Sequence, residues 1–161
     1  MKFKQIIILF IVLLLLSACN PGIEPKEHFG KIYSVALDSI MEQDDALNGD
    51  MEFIAIDMSN FDEVNETDKN EILNYFNGKY KVKVMDATFE QLKEMGLYNP
   101  DTMSLDGVLL RIEKVDIKSN NNIFFEGSKY RSGLGAVGVE VTVHYKDNNW
   151  KSKETNITWV S

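Results

Sequence analysis

The stretch Val137-Gly138-Val139-Glu140-Val141-Thr142-Val143-His144-Tyr145-Lys146 decides the fold. Apolar side chains recur at every second position. An extended chain therefore puts Val137, Val139, Val141, Val143 and Tyr145 on one face and Glu140, Thr142, His144 and Lys146 on the other. One face belongs to a core; the other is wet or lines a groove. Turn clusters bound this strand at Gly133 to Gly138 and at Asp147 to Asn149, and a further break falls at Ser119 to Asn122. From Val108 onward the chain thus reads as about four strands joined by turns. The last carries Trp150, Ile157 and Trp159, and its two tryptophans are expected to close the core.

Upstream the period changes. From His28 to Leu47, Phe29, Ile32, Tyr33, Ala36, Leu37, Ile40 and Leu47 recur at helical spacing, and Asn48-Gly49 is expected to end this long helix. Glu52 to Met58 is an apolar run of strand length. A second helix is expected from an N-cap at Thr67 to Asn77, with Gly78 at its exit, and a half-buried strand from Tyr80 to Asp86. Thr88 with Gln91 forms a capping-box pair for a short helix stopped by Gly96, and Leu97 to Gly107 reads as loop.

This order predicts an α+β domain. A long N-terminal helix and shorter helices pack on one face of a curved, largely antiparallel sheet that ends in a C-terminal meander of about four strands. The pattern resembles the cystatin-like and nuclear-transport-factor-like α+β domains, in which a long first helix lies across a curved sheet. It departs from them in the strand and helix alternation at residues 52 to 95.

At the other end of the chain, Lys2 and Lys4 precede eleven unbroken apolar residues, Ile6 to Leu16, and then Ser17-Ala18-Cys19. As a helix the apolar run spans about 16 Å, roughly half of a hydrocarbon core. It has the charged, apolar and small-residue order of an export signal. Leu16-Ser17-Ala18-Cys19 resembles the lipobox of bacterial lipoproteins. The resemblance implies that Leu16, Ser17 and Ala18 are read by a signal peptidase, that residues 1–18 are removed, and that Cys19 carries a diacylglyceryl group, with a further acyl chain such as palmitate on the new amino terminus. Residues 19–27, which include Pro21, Gly22 and Pro25, are then a lipidated tether, and 28–161 a single domain. The partner implied is the lipid bilayer, on the extracytoplasmic side of the cell membrane.

The chain is acidic, with a formal net charge of −8 that becomes −10 once Lys2 and Lys4 are removed. That balance argues against nucleic acid as a partner and against a body lying on anionic lipid. Cys19 is the only cysteine, so no disulfide forms within the chain and stability rests on packing. With 44% hydrophobic and 11% aromatic residues, the composition supplies a core.

Candidate chemistry is sparse. Gly133-Leu134-Gly135-Ala136-Val137-Gly138 spells G-x-G-x-x-G, but a strand follows where a dinucleotide site needs a helix N-terminus, so the glycines read as a hairpin or bulge. Lys129 and Arg131 beside them form either a small anion-binding concavity or two exposed charges at a strand end. Asp57, Asp62, Glu63, Glu66 and Asp68 crowd one region, yet Val64 and the lack of a glycine break the calcium-loop pattern. His28 and His144 belong to no metal-spaced pair. His144 would serve as a general base only with Glu140, Glu113 or another acid facing it across a pocket; otherwise it is a solvent-facing strand residue. Asn65-Glu66-Thr67 and Asn156-Ile157-Thr158 match the glycosylation acceptor pattern, a chance match behind a bacterial-type signal. No catalytic residue, metal ligand or cofactor is assigned. The expected function is a non-catalytic module that binds a protein partner or small ligand; the alternative is a small extracytoplasmic hydrolase or isomerase with His144 as base.

Overall fold

The computed structural model describes residues 23–161, an α+β fold built on a seven-stranded mixed sheet. The leader, Leu16, Ser17, Ala18 and Cys19 lie outside the described residues. The chain enters through a 3-10 turn at Pro25–His28 whose proline is buried, so the end of the stretch read as a tether is packed on the body. Helix α1, Phe29–Met41, buries Phe29, Ile32, Tyr33, Ala36, Leu37, Ile40 and Met41 against the sheet. It stops at Met41, short of the expected Leu47, which sits in a separate 3-10 turn, Asp45–Asn48. Gly49 has φ −59° and is no left-handed cap; the carbonyls at the end of α1 are satisfied by a lysine instead, as described below.

Strand β1, Phe53–Asp57, is buried along its whole length. Ile54 and Ile56 face α1, while Phe53 and Ala55 face a second apolar cluster on the other side of the sheet with Ala87, Leu92, Leu105 and Leu109. Covered on both faces, it reads as a continuous apolar run and takes the parallel pairing such strands favour. It runs parallel to β2, Lys83–Asp86, and to β4, Ser104–Ser119. Helix α2, Glu66–Tyr80, leads from β1 to β2. Its N-cap is Asn65, not Thr67: the Asn65 side chain accepts from the N–H groups of Thr67 and Asp68 at 2.8 and 3.0 Å. The helix passes through Gly78, ending at Lys81 with φ 58°.

The capping box holds, with Thr88 and Gln91 bonded reciprocally at 3.2 and 2.8 Å at the start of α3, Phe89–Glu94, and Gly96 ending it at φ +71°. This helix covers the second cluster, so helices lie on both faces of the sheet and not on one. The segment Leu97 to Gly107 contains β3, Tyr98–Asn99, and the beginning of β4. Asp106 and Gly107 lie within β4, and a Cβ at Gly107 would lie 2.3 Å from the carbonyl oxygen of Phe53, so glycine lets the two strands close.

The meander is as expected: β4, then β5, Asn122–Ser132, β6, Gly135–Lys146, and β7, Asn149–Val160, all antiparallel. Sheet order is β2-β1-β4-β5-β6-β7, with β3 beside β4. Asp147 and Asn148 at φ 53° and 59° make the primed turn that hairpins favour. Val137, Val139, Val141 and Val143 are all buried beneath α1, and Trp150 joins them at 4% exposure. Trp159 does not: it is 45% exposed, on the opposite face.

Candidate functional site

The strand register places this second tryptophan. Trp159 pairs with Gly138 and Glu140 with Asn156, on the side of β6 away from the valines. The glycine is required there, because a Cβ at position 138 would lie 2.0 Å from the indole Nε1. The last glycine of the G-x-G-x-x-G string therefore seats an indole and no pyrophosphate; Gly133 and Leu134 form the turn and Gly135 opens β6.

Around Trp159 the sheet and α3 form an open groove of about 540 Å³, with Leu109, Ala136 and Ser128 as its floor and Phe89, Tyr98 and Tyr130 as its far wall. The wall is rigid. Phe89 meets Tyr98 and Tyr130 edge to face, with centroids 5.1 and 5.5 Å apart, and the Tyr130 hydroxyl donates to the Met103 carbonyl at 3.2 Å. Burial raises the pKa of that phenol, keeping it a neutral donor. Three polar side chains complete the groove. Ser128 Oγ donates to Glu113 at 2.9 Å, and Arg111 reaches in from β4 with its Nε 3.6 Å from Asp57. The Glu113 oxygen that Ser128 does not engage has no hydrogen-bond partner among the described residues.

Lys129 and Arg131 form no anion site and are not exposed charges. Lys129 is fully buried on the α1 side of the sheet, where its ammonium donates to the carbonyls of Met41, Gln43 and Asp44 and to Asn48 Oδ1. Arg131 donates to the carbonyls of Leu47 and Gly49. Both cations are consumed in tying down the segment after α1. Burial lowers the Lys129 pKa to about 8, against the pull of Asp44 and Asp45.

His144 stands in a row between Asn122 and Lys151, and no carboxylate hydrogen-bonds its ring among the described residues. Glu140, four residues along the same strand, is roughly 13 Å away. Glu113 is committed to the groove. His28 packs its ring 6.4 Å from that of Trp150 at the start of α1. The acids from Asp57 to Asp68 are spread over separate tasks: Asp57 accepts from Ser59, and Asp68 accepts from the Gly30 N–H at 3.1 Å. Among the described residues, no three His, Cys, Asp or Glu groups are placed to share a metal ion.

Sequence reasoning named Trp159 for the wrong face and Glu113 for the wrong partner, and passed over Phe89, Tyr98, Arg111, Ser128 and Tyr130. The signal that exposes them is register, which a single sequence does not print. Comparison with known protein families, with characterised proteins and with solved structures finds no match to this chain.

Proposed function

We propose that the chain is a lipid-anchored, non-catalytic binding module on the extracytoplasmic side of the cell membrane. Acylated Cys19 holds it to the bilayer, and the Trp159 groove takes a ligand or partner. The observation that carries the binding half is the exposed Trp159, seated on Gly138 opposite a wall of aromatic rings packed edge to face. A large aromatic left nearly half exposed beside a groove is what a recognition surface needs. The anchoring half rests on the lipobox-like Leu16-Ser17-Ala18-Cys19. Among the described residues no helix is long and apolar enough to cross a membrane. The reading with His144 as a general base has less support, since that ring faces Asn122 and Lys151 and no acid.

The two halves are tested together in a bacterial host that processes lipoproteins. Labelled palmitate is expected in the wild type and absent from Cys19→Ser, which should accumulate as uncleaved precursor. A photo-crosslinking residue at position 159 is expected to give adducts in cells that the same residue at Glu27 does not. Normal processing of Cys19→Ser removes the anchor, whereas equal yields at both positions remove the groove as the binding site.

A further inference from the structure

We propose that the chain holds a further binding site, beside the start of α1, for a primary alkylammonium group, carried by a free amine or by a lysine of a peptide. It is independent of the Trp159 groove and lies on the other face of the sheet. A cavity of about 360 Å³ opens there between Phe29 and Tyr33 of α1, the loop after β1 and the middle of β4. The loop is pinned. Phe61 and Val64 are buried, and two turns fix its path, with the Phe61 N–H donating to the Met58 carbonyl at 3.2 Å and the Val64 N–H to the Phe61 carbonyl at 3.1 Å. Asn60, Asp62 and Glu63 stand on it at the rim of the cavity.

At the base is a phenol without a partner. Tyr33 is only 5% exposed, and its ring is held by Phe61, Phe125 and Phe29, with centroids 4.7, 5.2 and 5.7 Å away. Three rings enclose it, so the hydroxyl is the end that reaches the cavity. Among the described residues nothing hydrogen-bonds that hydroxyl, and it is not sealed from solvent, although a buried phenol ordinarily finds a partner. Burial, with the charges of Glu63 and Asp62, raises its pKa to about 12. The oxygen thus stays neutral beside two carboxylates.

An alkylammonium brings three protons and needs three acceptors. Three unspent ones line this cavity: Tyr33 Oη, the Asp62 carboxylate, which makes no ion pair among the described residues, and Asn60 Oδ1. Asn60 spends only its amide nitrogen, on the Ile112 carbonyl at 2.7 Å. The alkyl stem also has a seat. Strand β4 bulges between Ile112 and Lys114, with Glu113 as the extra residue. Beyond the bulge, Val115 and Ile117 pair with Phe125 and Ile123 and so share the α1 face with Ile112, yet they remain 37% and 42% exposed and line the cavity. Other occupants fit less well. An anion would meet Asp62 and Glu63. A divalent metal ion needs more carboxylate than is spare, since Glu63 holds Lys26 at 3.1 Å and Glu113 is bonded to Ser128. The lining lysine, Lys114, is held by Glu126 at 2.7 Å and does not fill the place.

The test uses the full chain, isotope-labelled, in micelles of a non-ionic detergent. It is titrated with n-pentylamine, with Nα-acetyl-lysine amide, and with n-pentanol and calcium chloride as controls. Saturable shifts of the backbone amides from Asn60 to Val64 are expected with pentylamine. The same shifts with the lysine amide assign the site to peptide lysines as well; their absence confines it to free amines. Tyr33→Phe keeps the packed ring, and it and Asp62→Asn should each weaken amine binding about tenfold, near 1.4 kcal/mol. Glu154→Gln, on β7, should leave it unchanged. The proposal is overturned if neither amine shifts these amides, if pentanol shifts them equally, or if calcium does so and the amines do not. Equal losses in Tyr33→Phe, Asp62→Asn and Glu154→Gln, or a loss in none of them, overturn it too, since binding would then be general attraction to an acidic body.

Discussion

Replacing Lys129 by methionine keeps the length of the side chain and removes its protons, which tests what ends α1. The ammonium is fully buried and donates to Met41, Asp44 and Asn48 at 2.9, 3.0 and 2.9 Å, and to Gln43. Its three protons are shared among these four acceptors, which a thioether leaves bare, and each buried acceptor without a partner costs about 1–3 kcal/mol. Against that, the variant no longer buries a charge. The fall of the lysine pKa from 10.5 to about 8 puts the cost of that burial near 3 kcal/mol. Partial rehydration of the freed carbonyls lowers the loss, and the net destabilisation expected at pH 7 is about 3 kcal/mol. That is a large part of an ordinary stability of about 5–15 kcal/mol. Urea unfolding should show it as a lower midpoint at unchanged slope. The pH dependence supplies an independent sign. Between pH 8 and 10.5 the unfolded chain holds the Lys129 proton and the folded one has released it, so wild-type stability rises with pH in that window and is lost again on return to pH 8. From pH 7 to 9.5 the wild type should gain about 2 kcal/mol relative to Lys129→Met. Tyr33 and Tyr75 do not interfere there, since burial raises both to about 12 and their effect falls above pH 10. Equal midpoints for the two proteins, or a difference that stays flat across this range, would refute the reasoning.

Two further outcomes separate close alternatives. Gly138→Ala should displace the Trp159 indole, with a red-shifted and more quenchable emission and a modest loss of stability, because the buried core on the other face of β6 is untouched. Asn65→Ala should cost about 1 kcal/mol in thermal or urea unfolding, as N-cap removals do, while Thr67→Ala should cost only a few tenths; the reverse ranking would restore Thr67 as the cap.

What could be read beforehand follows burial on one face. The valines of β6 announce themselves because their partners on the other side are polar, and Asp147 to Asn149 and Ser119 to Asn122 turn where the residue types say they should. The end of α1 was illegible because Leu47 continues the helical spacing, while the group that stops the helix, Lys129, lies more than eighty residues away. Parity held two clues that went unused. Trp150 and Trp159 are nine residues apart, an odd number, which alternation assigns to opposite faces of a strand. Lys129 shares its parity with Ile123 and Phe125, the core side of β5, so it points inward. The groove itself stayed out of reach, since Phe89 and Tyr98 meet Tyr130 only through the packing of α3 on the sheet.

Among the described residues strand β7, twelve residues long, pairs with β6 alone, so its outer edge faces no other strand. The proposed membrane attachment would make that edge matter, since molecules confined to a plane meet one another far more often than the same number in solution. An unguarded edge would let neighbouring copies join sheet to sheet. Lys151, Lys153 and Glu154 along the strand, and irregularities in its pairing near Gly138 and Thr142, oppose such growth. The sheet is thereby suited to crowding, and neutralising those charges should show as self-association before it shows as loss of fold.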